Sequence, residues 1–127
     1  MTNLKFFKCS HCGNVSILAV NMGVPVVCCG EKMTELVPNS TEAAVEKHIP
    51  VVTVNGNKLT VEVGSIIHPM TPEHHISFVA VEFSDGRYGI KSFETTDTPV
   101  AEFIFGGVMP VRVYEYCNLH GLWVKEI

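Results

Sequence analysis

Charge is scarce in this chain. Only 17% of its 127 residues are Asp, Glu, Lys or Arg, against about 25% in an average soluble domain. With 46% apolar residues, this excludes a disordered chain and predicts a dry core. Cations are scarcer still: 9 Lys and Arg, scattered along the sequence, stand against 13 Asp and Glu, for a net charge of −4. A basic surface for nucleic acid is therefore not expected. Long apolar runs are missing too, since none approaches the roughly 18 residues of a membrane-spanning helix. The opening stretch, Met1-Thr2-Asn3-Leu4-Lys5-Phe6-Phe7-Lys8, has neither an apolar core nor a small-residue cleavage site, so no secretory leader is expected and the cytoplasm is the expected location. Helical character is confined to residues 41–47, a segment too short to carry architecture.

What the chain does have is cysteine and histidine, 5 and 6 residues respectively. An odd cysteine count makes no simple disulfide framework, and a cytosolic chain seldom keeps disulfides, so metal ligation is the favoured reading. Cys9, Cys12, Cys28 and Cys29 all precede residue 30. The segment around them is short, turn-rich and poor in large core residues. Below about 40 residues a chain usually needs a staple to fold. The Val37-Pro38-Asn39-Ser40 stretch reads as a linker, because Pro, Asn and Ser favour turns. The expected domains are therefore residues 1–37, held by a metal, and residues 38–127.

From Pro50 onward the pattern is all-β. Val52 and Val54, then Leu59, Val61 and Val63, alternate with other residues across Asn55-Gly56-Asn57, a hairpin signal. Further strands are expected at 76–83, 88–93, 100–105, 111–117 and 122–126. Short strands at regular spacing predict a small antiparallel β-sandwich.

Cys9-Ser10-His11-Cys12-Gly13 is a knuckle that lets two thiolates converge on one ion. The second pair, Cys28-Cys29-Gly30, is adjacent, so chelation there requires a bend. Four thiolates form a tetrahedral set suited to Zn or a single Fe, and a purely structural zinc ribbon fits them equally well. His11 is expected to be a spectator. Downstream, Cys117-Asn118-Leu119-His120-Gly121 places Cys and His three apart, a weak signal alone, since a buried Cys beside a surface His is common. His48 at the entrance to the first sandwich strand, His68-Pro69-Met70, and Glu73-His74-His75 strengthen it, because these loop ends can meet at one rim of the sandwich.

Glu46-Lys47-His48, the segment from His68 to His74, and Cys117-Asn118-Leu119-His120-Gly121-Leu122-Trp123 together resemble the iron site of superoxide reductases. The four N-terminal cysteines resemble the desulforedoxin-type domain that precedes this site in desulfoferrodoxins. The resemblance covers nearly the whole chain, in order. It implies a desulforedoxin-like domain followed by an immunoglobulin-like sandwich. It further implies that His48, His68, His74 and His120 are equatorial ligands of a ferrous iron, with Cys117 as the axial thiolate and one position open. Cys9, Cys12, Cys28 and Cys29 would hold the second metal, Fe or Zn. Glu46 and Lys47 would flank the opening, the carboxylate capping it and the cation drawing in the anionic substrate. Tyr116 and Trp123 would be packing and shielding residues. At His75 the family pattern carries an aromatic, usually Trp; His75 itself reads as a partly exposed strand residue. The implied activity is one-electron reduction of superoxide to hydrogen peroxide, with a small donor such as rubredoxin returning the electron, in a homodimer. Two other readings use the same residues: a zinc ribbon plus sandwich that binds a partner without catalysis, and an iron protein that only transfers electrons.

Overall fold

The structure of the protein, a computed structural model, describes residues 4–41, 43 and 45–127. They fall into two compact units, one reaching Val37 and one running from Pro38 to Ile127.

The first unit is built from five very short strands, which the composition of this segment did not predict. β1 (Phe6–Lys8) pairs antiparallel with β2 (Val15–Ile17) on one side and β5 (Thr34–Glu35) on the other. β3 (Val27–Cys28) and β4 (Glu31–Lys32) form a separate two-stranded ribbon. Strands of two or three residues bury little, and cross-linking through the cysteine cluster below is the physical substitute for a core.

The second unit is a sandwich. One sheet has the order β10-β7-β6, formed by Val100–Ile104, Lys58–Val63 and Pro50–Asn55; the other has the order β12-β11-β8-β9, formed by Gly121–Glu126, Pro110–Cys117, Ile76–Phe83 and Tyr88–Ser92. β6 and β7 join through a two-residue turn in which Asn55 faces Lys58 and Gly56 takes a φ of 63°. Along β7 every second residue, Leu59, Val61 and Val63, is buried, so the alternation turns one face inward. These side chains meet Val79 and Val81 of β8, Ala101 of β10, and Val113 and Cys117 of β11 in one cluster. Leu59 is fully buried, a position where truncation to Ala costs about 2–5 kcal/mol.

Two consequences of this core position the site. Cys117 closes the inward row of β11 and is itself part of the core cluster. The sulfur therefore sits where the sandwich ends and loops take over, in a dry environment. The short helix α1 (Val45–His48) corrects the expectation that helix plays no part here. It is a single turn, but it delivers His48 into the interior while leaving Glu46 and Lys47 at the surface.

Glu115 lies two residues before Cys117 on the same inward face. It is fully buried and neither carboxyl oxygen meets a hydrogen-bond partner. Burial alone pushes its pKa well above the ordinary 4.5, so the folded state keeps the proton. The unfolded chain loses that proton as pH rises past about 4.5. The stability this carboxyl permits is thus present in acid and lost with rising pH. We predict that Glu115→Gln removes this penalty. The urea midpoint of the variant should match the parent near pH 4 and exceed it increasingly toward neutrality; parallel pH profiles would contradict this.

Candidate metal centres

The N-terminal cluster begins with a tight loop. The Gly13 N–H donates to the Cys9 carbonyl at 3.0 Å, the Cys9 N–H to the Asn14 carbonyl at 2.9 Å, and the Cys12 N–H to Cys9 Sγ at 3.5 Å. The Cys12 N–H, together with the His11 N–H, draws the Cys9 thiol down to about 6. The adjacent pair is bent by the β3–β4 turn. Cys29 and Gly30 are its two central residues and both have positive φ, 53° and 77°. This is the geometry of a type I′ hairpin, and Gly at its second position is what that turn favours. A non-glycine residue there costs about 1–2 kcal/mol, a cost that a metal holding Cys29 would offset. The bend lets adjacent cysteines face one point instead of opposite sides.

All four sulfurs lie within 4.8 Å of one another. Cys12 Sγ is 3.6 Å from Cys28 Sγ, which is 4.0 Å from Cys29 Sγ. A tetrahedron with metal–sulfur distances of about 2.3 Å has sulfur–sulfur edges of about 3.8 Å, so the donor set fits a four-thiolate metal. The crowding of sulfurs pushes the Cys29 thiol up to about 12 and also raises Cys28. Without a cation the cluster resists full ionisation; with one it is satisfied. His11 is not among the donors: its Nε2 pairs with Glu31 at 3.1 Å on the surface.

The second centre sits at the end of the sandwich. Rings of His48, His68, His74 and His120 form a closed quadrilateral with centroid separations of 4.8, 4.7, 5.0 and 4.9 Å, each neighbour turned edge-on at 78° to 89°. The inward nitrogens are the Nε2 atoms of His48, His68 and His74 and the Nδ1 of His120. His48 Nε2 lies 3.1 Å from both His68 Nε2 and His120 Nδ1. A square of imidazoles at about 2.1 Å from a central metal has edges of about 3.0 Å. His48, His74, His120 and Cys117 offer donor atoms all within 4.8 Å of one another, and His68 joins through His48 and His74. Cys117 Sγ is 3.9 Å from His120 Nδ1.

The protonation pattern favours a cation. His68 Nδ1 lies 2.8 Å from the Pro69 carbonyl, which can only accept, so that nitrogen carries the hydrogen and Nε2 turns a lone pair inward. His74 Nε2 is buried without a hydrogen-bond partner. Burial pulls His68 down to about 4, and lowers His74 as well, with the charges of His120, His48 and Lys47 adding to the effect. Both rings are thus neutral and ready to ligate at neutral pH. Burial raises the Cys117 thiol, and the N–H groups of His120 and Leu119, aimed at its sulfur, oppose the rise. Trp123 stacks on His48 at 5.0 Å and donates from Nε1 to the His120 carbonyl at 3.1 Å, so it covers one ring and fixes the loop of another.

Three features of this centre escaped the sequence reading. Thr71 closes a turn on His74, with its N–H and hydroxyl donating to the His74 carbonyl and its hydroxyl accepting the His74 N–H at 3.1 Å. The second is Asn118, which ties two loops together. Its Oδ1 accepts from the His75 N–H at 2.8 Å, its Nδ2 donates to the Glu73 carbonyl at 3.0 Å, and its N–H donates to the His75 carbonyl at 3.1 Å. The one available signal was its place inside the Cys117–His120 loop. The third is the turn after β7, where the Ile66 N–H donates to the Glu46 carbonyl at 3.1 Å. His75 itself points its Nδ1 at the Thr71 carbonyl and stands immediately before β8, outside the quadrilateral. We predict that Asn118→Ala weakens metal retention by about 10–100-fold, measured by competition with a chelator; unchanged retention would reduce Asn118 to a loop residue.

The sequence profile of the family described as Desulfoferrodoxin matches residues 40–126. The chain belongs to the desulfoferrodoxin family. It is 38% identical over 125 residues to the desulfoferrodoxin of Clostridium acetobutylicum, spanning 98% of each chain. It is 41% identical over 123 residues to a desulfoferrodoxin homologue of Archaeoglobus fulgidus, spanning 94% of each. The crystal structure of the superoxide reductase from Treponema pallidum superposes with a TM-score of 0.83 at 34% identity, covering 98% of this chain and 100% of that one. The desulfoferrodoxin match therefore takes in both the sandwich centre and, in the full-length relatives, the four-cysteine unit.

Proposed function

We propose that this protein is a superoxide reductase that converts superoxide to hydrogen peroxide by one-electron reduction. The quadrilateral of four imidazoles closed from beneath by a buried thiol carries this reading. Iron bound there would supply the electron and one open coordination position. His48, His68, His74, His120 and Cys117 would hold it, the thiol reaching it from the sandwich side. Two backbone N–H groups temper the donating power of the Cys117 sulfur. Trp123 excludes water from the His48 flank. Lys47, exposed on α1, gives the surface near the rings a positive charge that is felt at His74. Glu46 on the same turn is the carboxylate available to close the opening after product leaves.

The cycle needs an electron from outside, for which a small donor such as rubredoxin is the proposed partner. A second copy of the chain is the other, supported by Val20, Met22, Val24 and Val27, which the N-terminal unit leaves exposed. Five cysteines that serve as metal donors and form no disulfide suit the reducing cytoplasm. Among the described residues no helix is long and apolar enough to cross a membrane.

The two centres share no donor, so they are separable. Cys12→Ser should change the metal content and spectrum of the N-terminal centre and leave superoxide reduction within about 2-fold of the parent. The test of the function itself is metal exchange. The iron-loaded chain should consume a pulse of superoxide with oxidation of its ferrous centre, and the zinc-loaded chain should not. Equal activity of both would sink the proposal.

A further inference from the structure

The residues that carry Glu46 and Lys47 are gripped from below by a turn no motif marks. β6 and β7 run antiparallel, with Pro50 opposite Val63. Continuing that pairing past its last rung brings the residues after Val63 beneath α1, which immediately precedes β6. Gly64 takes a φ of +80°, and a Cβ built there would lie 2.6 Å from the Glu46 carbonyl oxygen and 2.6 Å from both the carbonyl carbon and oxygen of Lys47. No real Cβ is tolerated so close to backbone, so the Glu46-Lys47 backbone rests directly on the bare face of Gly64. The next two residues hold it there. The Ser65 hydroxyl donates to the Glu46 carbonyl at 3.2 Å, and the Ile66 N–H donates to the same oxygen at 3.1 Å. One short helical turn, closed by the Ile49 N–H donating to the Val45 carbonyl at 2.9 Å, is marginal without outside support. His48 has separate support from Trp123 and the neighbouring rings; Glu46 and Lys47 are exposed and depend on the turn.

We infer that the turn at residues 64–66 is a positioning element that fixes the Glu46-Lys47 backbone, and so the Lys47 charge, relative to the four imidazoles. Gly64 is the residue that permits the approach, and Ser65 and Ile66 lock it. The inference rests on the superoxide reading of the site. Its consequence is that disturbing the turn reproduces the loss of Lys47 without touching a metal ligand.

The experiment compares Gly64→Ala and Ser65→Ala with the parent, each in the presence of Lys47 and in the Lys47→Ala background. Two quantities are read. One is hydrogen exchange of the Ile66 amide in the zinc-loaded protein, which needs no activity. The other is the second-order rate of the ferrous protein with superoxide, per bound iron, against ionic strength. Gly64→Ala should accelerate Ile66 exchange by about 10-fold, the effect of losing one hydrogen bond. It should also slow the superoxide reaction by about 10-fold and flatten its salt dependence, while the thiolate absorption of the iron persists. Ser65→Ala should move both in the same direction by less. In the Lys47→Ala background neither change should slow the reaction further. Parent rate and salt slope in Gly64→Ala, or equal slowing with and without Lys47, overturn the inference. If Gly64→Ala does not fold, Ser65→Ala decides by the same criteria. A parent that leaves superoxide unreacted overturns the functional reading instead, and the grip then stands or falls on Ile66 exchange alone.

Discussion

The Cys117→Ser protein is expected to lose both its colour and its turnover. Cys117 is fully buried at the end of the β11 row, in contact with the sandwich core and with N–H groups of Leu119 and His120 aimed at its sulfur. Serine fits the same space, so folding should survive. A hydroxyl there is a hard, weakly acidic donor where the thiolate is soft and strongly donating. The sulfur-to-metal charge-transfer absorption should vanish, and superoxide turnover per iron should fall by more than about 100-fold. The four imidazoles still close their quadrilateral in this variant, so iron should remain bound, though less tightly. Absorption spectroscopy, metal analysis and stopped-flow kinetics on one preparation give the three numbers. Retained absorption and turnover in a verified Cys117→Ser protein would mean that the sulfur is a core residue and no ligand.

The next largest effect is expected at Lys47. Superoxide is an anion and the protein carries a net charge of −4, so the overall field opposes approach. A cation at the mouth of a site focuses the local field and raises encounter rates by about 10-fold or more. Lys47 is exposed and its charge reaches the ring of His74. Lys47→Ala should therefore slow the bimolecular reaction by about 10-fold and leave the ferric spectrum unchanged. Added salt should slow the parent more than the variant, because screening acts on the charge that was removed. Glu46→Ala should react at nearly the parent rate and differ only in how the oxidised centre relaxes afterwards. Equal rates and equal salt slopes for parent and Lys47→Ala would leave Lys47 an ordinary solvated residue.

Much of the architecture was legible because it depends on local pattern. Alternation at Leu59, Val61 and Val63 turns directly into a buried face, and Gly56-Asn57 into a hairpin turn, since both depend on a few neighbouring residues. The grouping of Cys9, Cys12, Cys28 and Cys29 was legible from residue type, but the means by which adjacent cysteines converge was not. That required seeing Cys29 and Gly30 as the centre of a two-residue turn between strands of only two residues each, too short to leave a pattern. The single turn of α1 is likewise too short for periodicity to announce, although it carries His48 and, beside it, the Glu46 and Lys47 proposed to flank the opening. Asn118, Thr71 and Gly64 escaped for another reason. Asn118 braces residues 43 and 45 positions away, Thr71 bonds to the backbone of a ligand, and Gly64 matters for what it lacks. Bonds from a side chain to backbone, near or far in sequence, leave no trace in residue type.

We propose that superoxide is reduced by one electron at the centre formed by four imidazoles and Cys117. The most direct test is the product balance after a pulse of superoxide on the fully reduced iron protein, with hydrogen peroxide and dioxygen both measured. Each superoxide should take one electron from the ferrous centre and two protons from water, giving one hydrogen peroxide per centre oxidised and no dioxygen. Dioxygen released in equal amount to hydrogen peroxide, with the centre unchanged at the end, would mean that the protein is a dismutase and no reductase.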